Sequence, residues 1–456
     1  MCGICGGFNV NVSQMLHVIR HRGPDGIGIF ENGHVSIGHT LLSIVGTGKQ
    51  PFYGCHQGFT VVCNGEIYNY KEIIKKLKEH KFQTTTDSEV IVHLIEENYT
   101  ENLIDAVKKC MMQLDGDYAF AVHYRGEVVL SRDPYGVKPL YISDNCFSSE
   151  RKSLRPISKK IATLKPGSIM SLGSEPKEYL NFQNYKRRIN RPVEDLYEAL
   201  TNSVEKRTRD LKVGLLFSGG IDSSLIAGIV DKIDRDAILY TVGMPGCKDF
   251  ESVKEVADSF NSELIIKTIP KKKLVDYLGK VIYAIEDYNP MKVSIGLPIY
   301  VACEAIKNNG LKVALTGQGA DELFAGYSRY LSMSKTKLEA ELLRDISNIG
   351  EANLQRDDAV SMANSVELRL PYMDSDVIGI ALALPIDLKI NNGGRKYILK
   401  SIAKKMGLPE SIINKSKKAI QYSSGVEKAI RSLAKQEDKN IEDYLKSIYL
   451  QRFPWR

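Results

Sequence analysis

This sequence has no apolar run approaching the roughly 20 residues needed to cross a bilayer. Its amino terminus also lacks the basic-then-apolar layout of a secretory leader. Those two absences predict a cytoplasmic protein with no membrane partner. The eight cysteines (Cys2, Cys5, Cys55, Cys63, Cys110, Cys146, Cys247 and Cys303) are scattered through 456 residues and make no disulfide framework. Cys2 and Cys5 form a CxxC, but no second such pair completes a zinc site of that kind. The formal net charge is only +7 and the lysines are dispersed, so nucleic-acid binding is not indicated. What remains is an ordinary globular composition, 43% hydrophobic and 26% charged, long enough for roughly two or three domains.

One stretch stands out against that background. Val213 to Phe217 is a short apolar run suited to the interior of a parallel sheet, and a helical pattern follows from Ser223 to Ile233. Between them lies Ser218-Gly219-Gly220-Ile221-Asp222-Ser223-Ser224. Adjacent glycines let the backbone approach an anion and turn successive amides toward it, and the helix adds the positive end of its dipole. The Gly-Lys-Ser/Thr that closes a P-loop is missing, and with it the usual lysine contact to a terminal phosphate. Asp222 is placed to hold Mg²⁺ against the phosphates instead. This stretch resembles the pyrophosphate loop of the N-type ATP pyrophosphatases, which adenylate an oxygen, release pyrophosphate and let a nucleophile displace AMP.

The chain begins Met1-Cys2-Gly3-Ile4-Cys5. Removal of Met1 would leave Cys2 with both a thiol and a free α-amine, their ordinary pKa values near ~8.5 and ~8. One residue would then supply nucleophile and base. Three later stretches support that role: His21-Arg22-Gly23-Pro24-Asp25, Asn64-Gly65-Glu66-Ile67-Tyr68-Asn69 and Thr86-Asp87-Ser88-Glu89. Asn64-Gly65 suits a tight turn, from which the Asn64 amide and the Gly65 N–H can aim at a developing oxyanion. Glu66 and Asp87 can receive an α-ammonium group.

Together these stretches resemble the class II glutamine amidotransferases, over about the first 150 residues, and Ser131 to Tyr141 resembles another landmark of that family. The resemblance implies that Cys2 attacks the glutamine amide with Asn64 and Gly65 assisting. It also implies that Val45, Asn64, Gly65, Glu66 and Asp87 bind glutamine. One position departs: Leu41 heads the Leu41-Leu42-Ser43-Ile44-Val45 stretch, where the family usually has an arginine that grips the glutamine α-carboxylate. Leucine cannot replace a guanidinium, so either another cation such as Arg22 compensates or the KM for glutamine is raised.

Strand patterns at Phe59 to Cys63, Tyr118 to Tyr124, Glu127 to Ser131 and Gly167 to Leu172 predict two packed sheets. Helical patterns at Asn69 to His80 and Ser88 to Glu97 would cover them. Further on, a helix is expected over Val193 to Arg209, then strands at Ala237 to Gly243, Leu264 to Ile269 and Val313 to Leu315 alternating with helices. The expectation is an α+β domain of the N-terminal-nucleophile type, a two-sheet sandwich with helices, over residues 2–175. A polar linker over 176–192 would lead to an α/β domain over 193–456, a doubly wound parallel sheet of the ATP pyrophosphatase type.

Three further stretches, Thr316-Gly317-Gln318-Gly319-Ala320-Asp321-Glu322, Val366 to Asp374 and Arg395 to Lys400, resemble motifs of the asparagine synthetases. The resemblance thus covers both halves, glutaminase first and synthetase second. It implies contacts to ATP or pyrophosphate from Phe217, Ser218, Gly219, Gly220, Asp222, Ser223, Val242, Gly243, Thr316 and Gly317. It further implies Mg²⁺ on Asp222 and Asp321, and catalytic roles for position 318 and Lys396, whose ammonium would stabilise phosphate charge. Here too the chain departs from its relatives. Gln318 stands where the family commonly has a glutamate, and Ile285 to Pro298 lacks an arginine that many members carry. The basic, hydroxyl-rich segment 415–425 is a candidate to close over the phosphates.

The reading these features support is a glutamine-dependent asparagine synthetase using ATP and Mg²⁺, with internally transferred ammonia attacking β-aspartyl-AMP; the features do not fix its oligomeric state, for which a homodimer is one candidate. A related amidotransferase acting on another carboxylate or a modified-base precursor is the alternative. A non-catalytic nucleotide-binding relative is disfavoured by the presence of Cys2, Asn64, Asp222 and Asp321 together.

Overall fold

The structure is a computed structural model that describes residues 2–247, 249–414 and 424–453. The fate of Met1 and most of the 415–425 segment lie outside them. The chain divides into two compact units, Met1–Asn184 and Tyr185–Arg456. No helix among the described residues is long and apolar enough to cross a membrane.

The first unit holds two six-stranded sheets. One runs β10 (Ala162–Thr163), β8 (Tyr141–Ile142), β9 (Cys146–Ser148), β1 (Gly3–Phe8), β3 (Val35–Leu41), β2 (Gly26–Asn32). The other runs β12 (Lys177–Glu178), β11 (Ser168–Ser171), β7 (Glu127–Arg132), β6 (Gly116–Tyr124), β5 (Thr60–Ile67), β4 (Phe52–Tyr53). Alternation along the strands builds three apolar layers. Ile4, Val62, Ala119 and Ala121 meet between the two sheets. Val61, Cys63, Phe120 and Val122, on the opposite faces of the same strands, pack under the helices Val90–Asn98 and Leu103–Met111. Cys5, Val12 and Leu16 fill the space beneath Val12–Val18 on the far side. The expected sandwich with helices is therefore present, and its strands read as unbroken apolar runs because both faces are covered.

One local expectation needs correction. Asn64-Gly65 makes no turn: both residues sit inside β5, opposite Ala119 and Tyr118 of β6. Eight residues of pairing outweigh the local preference of the dipeptide, and a Cβ at Gly65 would lie 2.5 Å from the Asp117 carbonyl oxygen. The polar stretch read as a linker still carries β12, hydrogen-bonded to β11 as an edge of the second sheet.

The second unit opens with the helix Pro192–Thr208, which starts on a proline as first turns allow. Its sheet has the order β15 (Glu263–Thr268), β14 (Ala237–Gly243), β13 (Val213–Leu216), β16 (Val313–Leu315), β17 (Glu367–Arg369), with all pairings parallel. Numbered along the chain, that order is 3-2-1-4-5, so the direction of winding reverses between β13 and β16. In such sheets ligands bind at the carboxyl ends of the strands beside the reversal. The three-residue strand β17, inside the Val366 to Asp374 motif, is the member that periodicity does not reveal.

Candidate active sites

Cys2 enters the first site at the head of β1 with only 6% of its surface exposed. Its main-chain nitrogen donates to Asn64 Oδ1 at 3.1 Å, and its carbonyl accepts from Arg22 Nε at 3.1 Å. The Asn64 Nδ2 group is buried with no hydrogen-bond partner among the described residues, a donor left over for a ligand oxygen. Beyond Val61 no strand among the described residues flanks the outer edge of β5, and there Gly65 and Glu66 line a pocket together with Cys2, Leu41, Val45 and Asp87. Of the residues expected to bind glutamine, Asn64 alone is absent from the pocket lining; its Oδ1 holds the Cys2 main-chain nitrogen and its Nδ2 is the group left for a ligand.

Asp87 also braces the site, since its Oδ2 accepts the Ile67 N–H at 2.6 Å and fixes the end of β5. The side chain of Gln50 bonds both the N–H and the carbonyl of Cys63, taking the place of a neighbouring strand. Ser43, Thr86 and Ser88, from the stretches already singled out, line the pocket as well, and so do Gln50 and Gly48, which carry no sequence signal that marked them. No lysine or arginine lies among the lining residues. Arg22 in particular is fully buried, its guanidinium committed to the Cys2 carbonyl and to Glu150 Oε1 at 3.1 Å. It holds Cys2 from behind and does not replace the arginine missing at Leu41. Glu150 is in turn surrounded by His21 at 2.9 Å and Lys152 at 2.6 Å. Burial opposes its charge, but His21, Lys152 and Arg22 win and hold the carboxyl well below the usual carboxylate range.

The CxxC is no redox pair. Cys5 turns into the apolar layer beneath the first helix, and burial pushes its thiol far up. The landmark Ser131 to Tyr141 is scaffolding: Arg132 bonds the carbonyls of Lys138, Leu164 and Gly136. Asp133 accepts N–H groups from Tyr135, Val137 and Lys138.

The second site lies at the carboxyl ends of β13, β14 and β16. Phe217, Ser218, Gly219 and Gly220 follow β13, with Gly219 at φ +63° in the left-handed region that glycine tolerates. Ser218 and Ser223 join hydroxyl to hydroxyl at 3.2 Å, and the Gly220 N–H donates to Ser218 Oγ at 3.3 Å. Asp222 stands in the first turn of Ile221–Lys232. Val242 and Gly243 end β14, while Thr316 and Gly317 follow β16 with the Thr316 N–H on the Arg369 carbonyl. Gln318 is half-buried in the turn that enters the short helix Ala320–Leu323.

Two carboxylates and one ammonium meet here. Lys396 Nζ lies 2.5 Å from Asp222 Oδ2 and 2.6 Å from Asp321 Oδ1. Lys396 itself is 3% exposed and sits at φ +56°, strained for a residue with a Cβ and held so by its surroundings. Gly326 makes room for the trio, since a Cβ there would lie 1.9 Å from Asp321 Oδ1 and 2.3 Å from Lys396 Cε. Tyr372, from the Val366 to Asp374 motif, donates its hydroxyl to the Asp222 carbonyl at 3.1 Å. Neither Gly326 nor Tyr372 could be assigned a role from the sequence.

The rest of that motif is a buried ion-pair web. Arg369 bonds Glu367 at 2.6 Å and the Arg207 carbonyl at 2.8 Å, and Arg207 bonds Asp374 at 2.7 Å. In the stretch lacking an arginine, Ser294 Oγ is buried without a partner among the described residues. The stem of Arg356 passes Gly296, and its head is held by Asp357 and Asn353.

Comparison with known proteins agrees with this architecture. Residues 1–207 match the family described as glutamine amidotransferase domain, and residues 195–340 and 330–454 match asparagine synthase. A putative glutamine-hydrolyzing asparagine synthetase of Methanocaldococcus jannaschii is 37% identical, over 95% of this chain and 94% of its own length. Glutamine-hydrolyzing asparagine synthetase 1 of Arabidopsis thaliana is 31% identical, over 96% of this chain and 79% of its own length. The protein is thus a glutamine amidotransferase domain and an ATP-using synthetase domain in one chain. It belongs to the family of glutamine-hydrolysing asparagine synthetases.

Proposed function

We propose that this protein makes asparagine from aspartate, ATP and glutamine, with residues 2–175 as the glutaminase domain, 193–456 as the synthetase domain and 176–192 as the linker. Cys2 attacks the glutamine side-chain amide, with ammonia leaving and water releasing glutamate from the thioester. Asn64 Nδ2 and the Gly65 N–H receive the oxyanion, and Glu66 and Asp87 receive the substrate ammonium. Val45 packs against the substrate.

In the synthetase domain the aspartate β-carboxylate attacks the α-phosphorus of ATP, pyrophosphate leaves, and ammonia displaces AMP from the acyl-adenylate. Residues 217–220 and Ser223 cradle the phosphates, and Val242, Gly243, Thr316 and Gly317 flank the nucleotide at the strand ends. The convergence of Asp222 and Asp321 on one positive charge is the observation that carries this reading. The Lys396 ammonium is a stand-in for a divalent cation there, and Asp222 Oδ1, buried without a hydrogen-bond partner among the described residues, is a further oxygen donor. The donor set fits Mg²⁺, which when bound screens the phosphate charge. Lys396 has a flexible stem that lets its ammonium turn to the α-phosphate or the departing pyrophosphate, and Gln318 can orient the acyl group by hydrogen bonding but not act as a base. No disulfide joins the cysteines among the described residues, which suits work in a reducing compartment such as the cytoplasm, and a homodimer is the proposed assembly.

The test is pyrophosphate release from purified protein with ATP, Mg²⁺ and ammonium, with and without aspartate, assaying asparagine in parallel. Aspartate-dependent pyrophosphate with matching asparagine is expected. Glutamine hydrolysis without any aspartate dependence would instead assign the synthetase domain another acceptor, the reading that Gln318 and the missing arginine favour.

A further inference from the structure

The glutaminase domain contains a second cluster of reactive side chains, apart from the pocket at Cys2. Cys55 and His56 lie in the loop between β4 and β5, His80 follows the helix Tyr70–Lys76, and Glu96 is on the helix Val90–Asn98. Their donor atoms all fall within 4.8 Å of one another. Cys55 Sγ is 3.3 Å from His80 Nδ1 and 3.4 Å from Glu96 Oε2, and His80 Nδ1 is 3.4 Å from the same Oε2. These three separations make a nearly equilateral triangle. A tetrahedral zinc-class ion, with bonds of about 2.0–2.3 Å, separates neighbouring donors by roughly 3.3–3.7 Å.

The surrounding groups orient these donors as outer-shell groups orient the ligands of a metal. His80 Nε2 is 3.1 Å from Glu97 Oε2, so a carboxylate holds the outer ring nitrogen while Nδ1 faces the thiol and Glu96 Oε2, the placement a metal-bound imidazole takes. His93 repeats the arrangement, with Nε2 3.4 Å from Glu89 and Nδ1 3.8 Å from Cys55 Sγ. Glu96 Oε1 accepts the N–H groups of His56 and Gln57, and Oε2 accepts the Cys55 N–H at 2.9 Å, so the carboxylate is immobilised with Oε2 also facing the cluster. His80 and Glu96 are buried, and His56 is exposed on the solvent side, where an ion would enter.

We propose that Cys55, His56, His80 and Glu96 bind one divalent transition metal ion of the zinc class, tying the β4–β5 loop to the helix Val90–Asn98. Binding releases the Cys55 thiol proton to solvent and forms the thiolate–metal bond. The inference is independent of the assigned reaction, because the site is read out by the metal alone.

Cobalt(II) titration of the full-length, metal-stripped protein is the experiment, followed by absorption in the near ultraviolet and visible. A thiolate-to-cobalt band with tetrahedral ligand-field bands, saturating at one ion per chain, is expected in the wild type and in Cys2→Ala. Cys55→Ser should lose the thiolate band while keeping native circular dichroism. Should Cys55→Ser not fold, the exposed His56→Ala substitution must weaken cobalt binding at least about tenfold. No thiolate band in the wild type, a band that disappears with Cys2→Ala, or binding unchanged in both Cys55→Ser and His56→Ala would each overturn the proposal.

Discussion

In the proposed glutaminase site, Leu41 is the residue on which glutamine affinity is expected to turn. It lines the pocket at the position where the family has a carboxylate-gripping arginine, and the lining contains no other strong cation. A charge-assisted bidentate pair contributes about 1.5–3 kcal/mol, so Leu41→Arg should lower the KM for glutamine by roughly tenfold or more and leave kcat near its starting value. Steady-state glutaminase kinetics check the split. Glu150 acts behind the site. Its folded pKa is depressed, so its stabilisation is full above the unfolded carboxylate range, near pH ~4.3, and drains as pH falls through the lower folded value. Glu150→Gln strands the charges of Arg22 and Lys152 and should cost about 3 kcal/mol or more at pH 7. It should also flatten the acid limb of stability. Urea midpoints at pH 7 and below pH ~4 measure both.

At the scale of elements, the synthetase site depends on how closely three segments approach. Gly326, which follows the short helix Ala320–Leu323, has no room for a methyl beside Asp321 and Lys396. Gly326→Ala should therefore push the pair apart and lower pyrophosphate release by about 10²-fold or more, since a displacement near 1 Å can cost that much. Glutamine hydrolysis by the same variant should be unchanged. β5 makes a similar point from the other domain. Its run from Thr60 to Ile67 places Asn64 against Cys2 and Gly65 in the pocket wall, a positioning that a turn at the same dipeptide would not achieve.

For the whole molecule, each unit carries one half of the reaction, and each half can be removed separately. Cys2→Ala should abolish glutamine hydrolysis by more than about 10³-fold yet leave ammonia-dependent asparagine formation. Lys396→Met should do the reverse, removing pyrophosphate release with either nitrogen source and sparing glutamine hydrolysis. Loss of both activities from either single substitution would mean that the two units do not act through separate sites.

Sequence by itself determined the elements whose chemistry is local. The strand, glycine turn and helix around Ser218 are legible because a phosphate cradle is built from consecutive residues, and β13, β14 and β16 because buried parallel strands are short continuous apolar runs. Tertiary structure decided what depends on residues far apart in the chain. It set Asn64-Gly65 in a strand, because pairing with β6 outweighs the turn preference of the dipeptide. It buried Arg22 beneath Cys2, because Glu150, 128 positions away, supplies the countercharge. It joined Asp222, Asp321 and Lys396 around one charge, and Cys55, His56, His80 and Glu96 into one cluster. No periodicity encodes such meetings, because they follow from how sheets and helices stack once their apolar faces are covered.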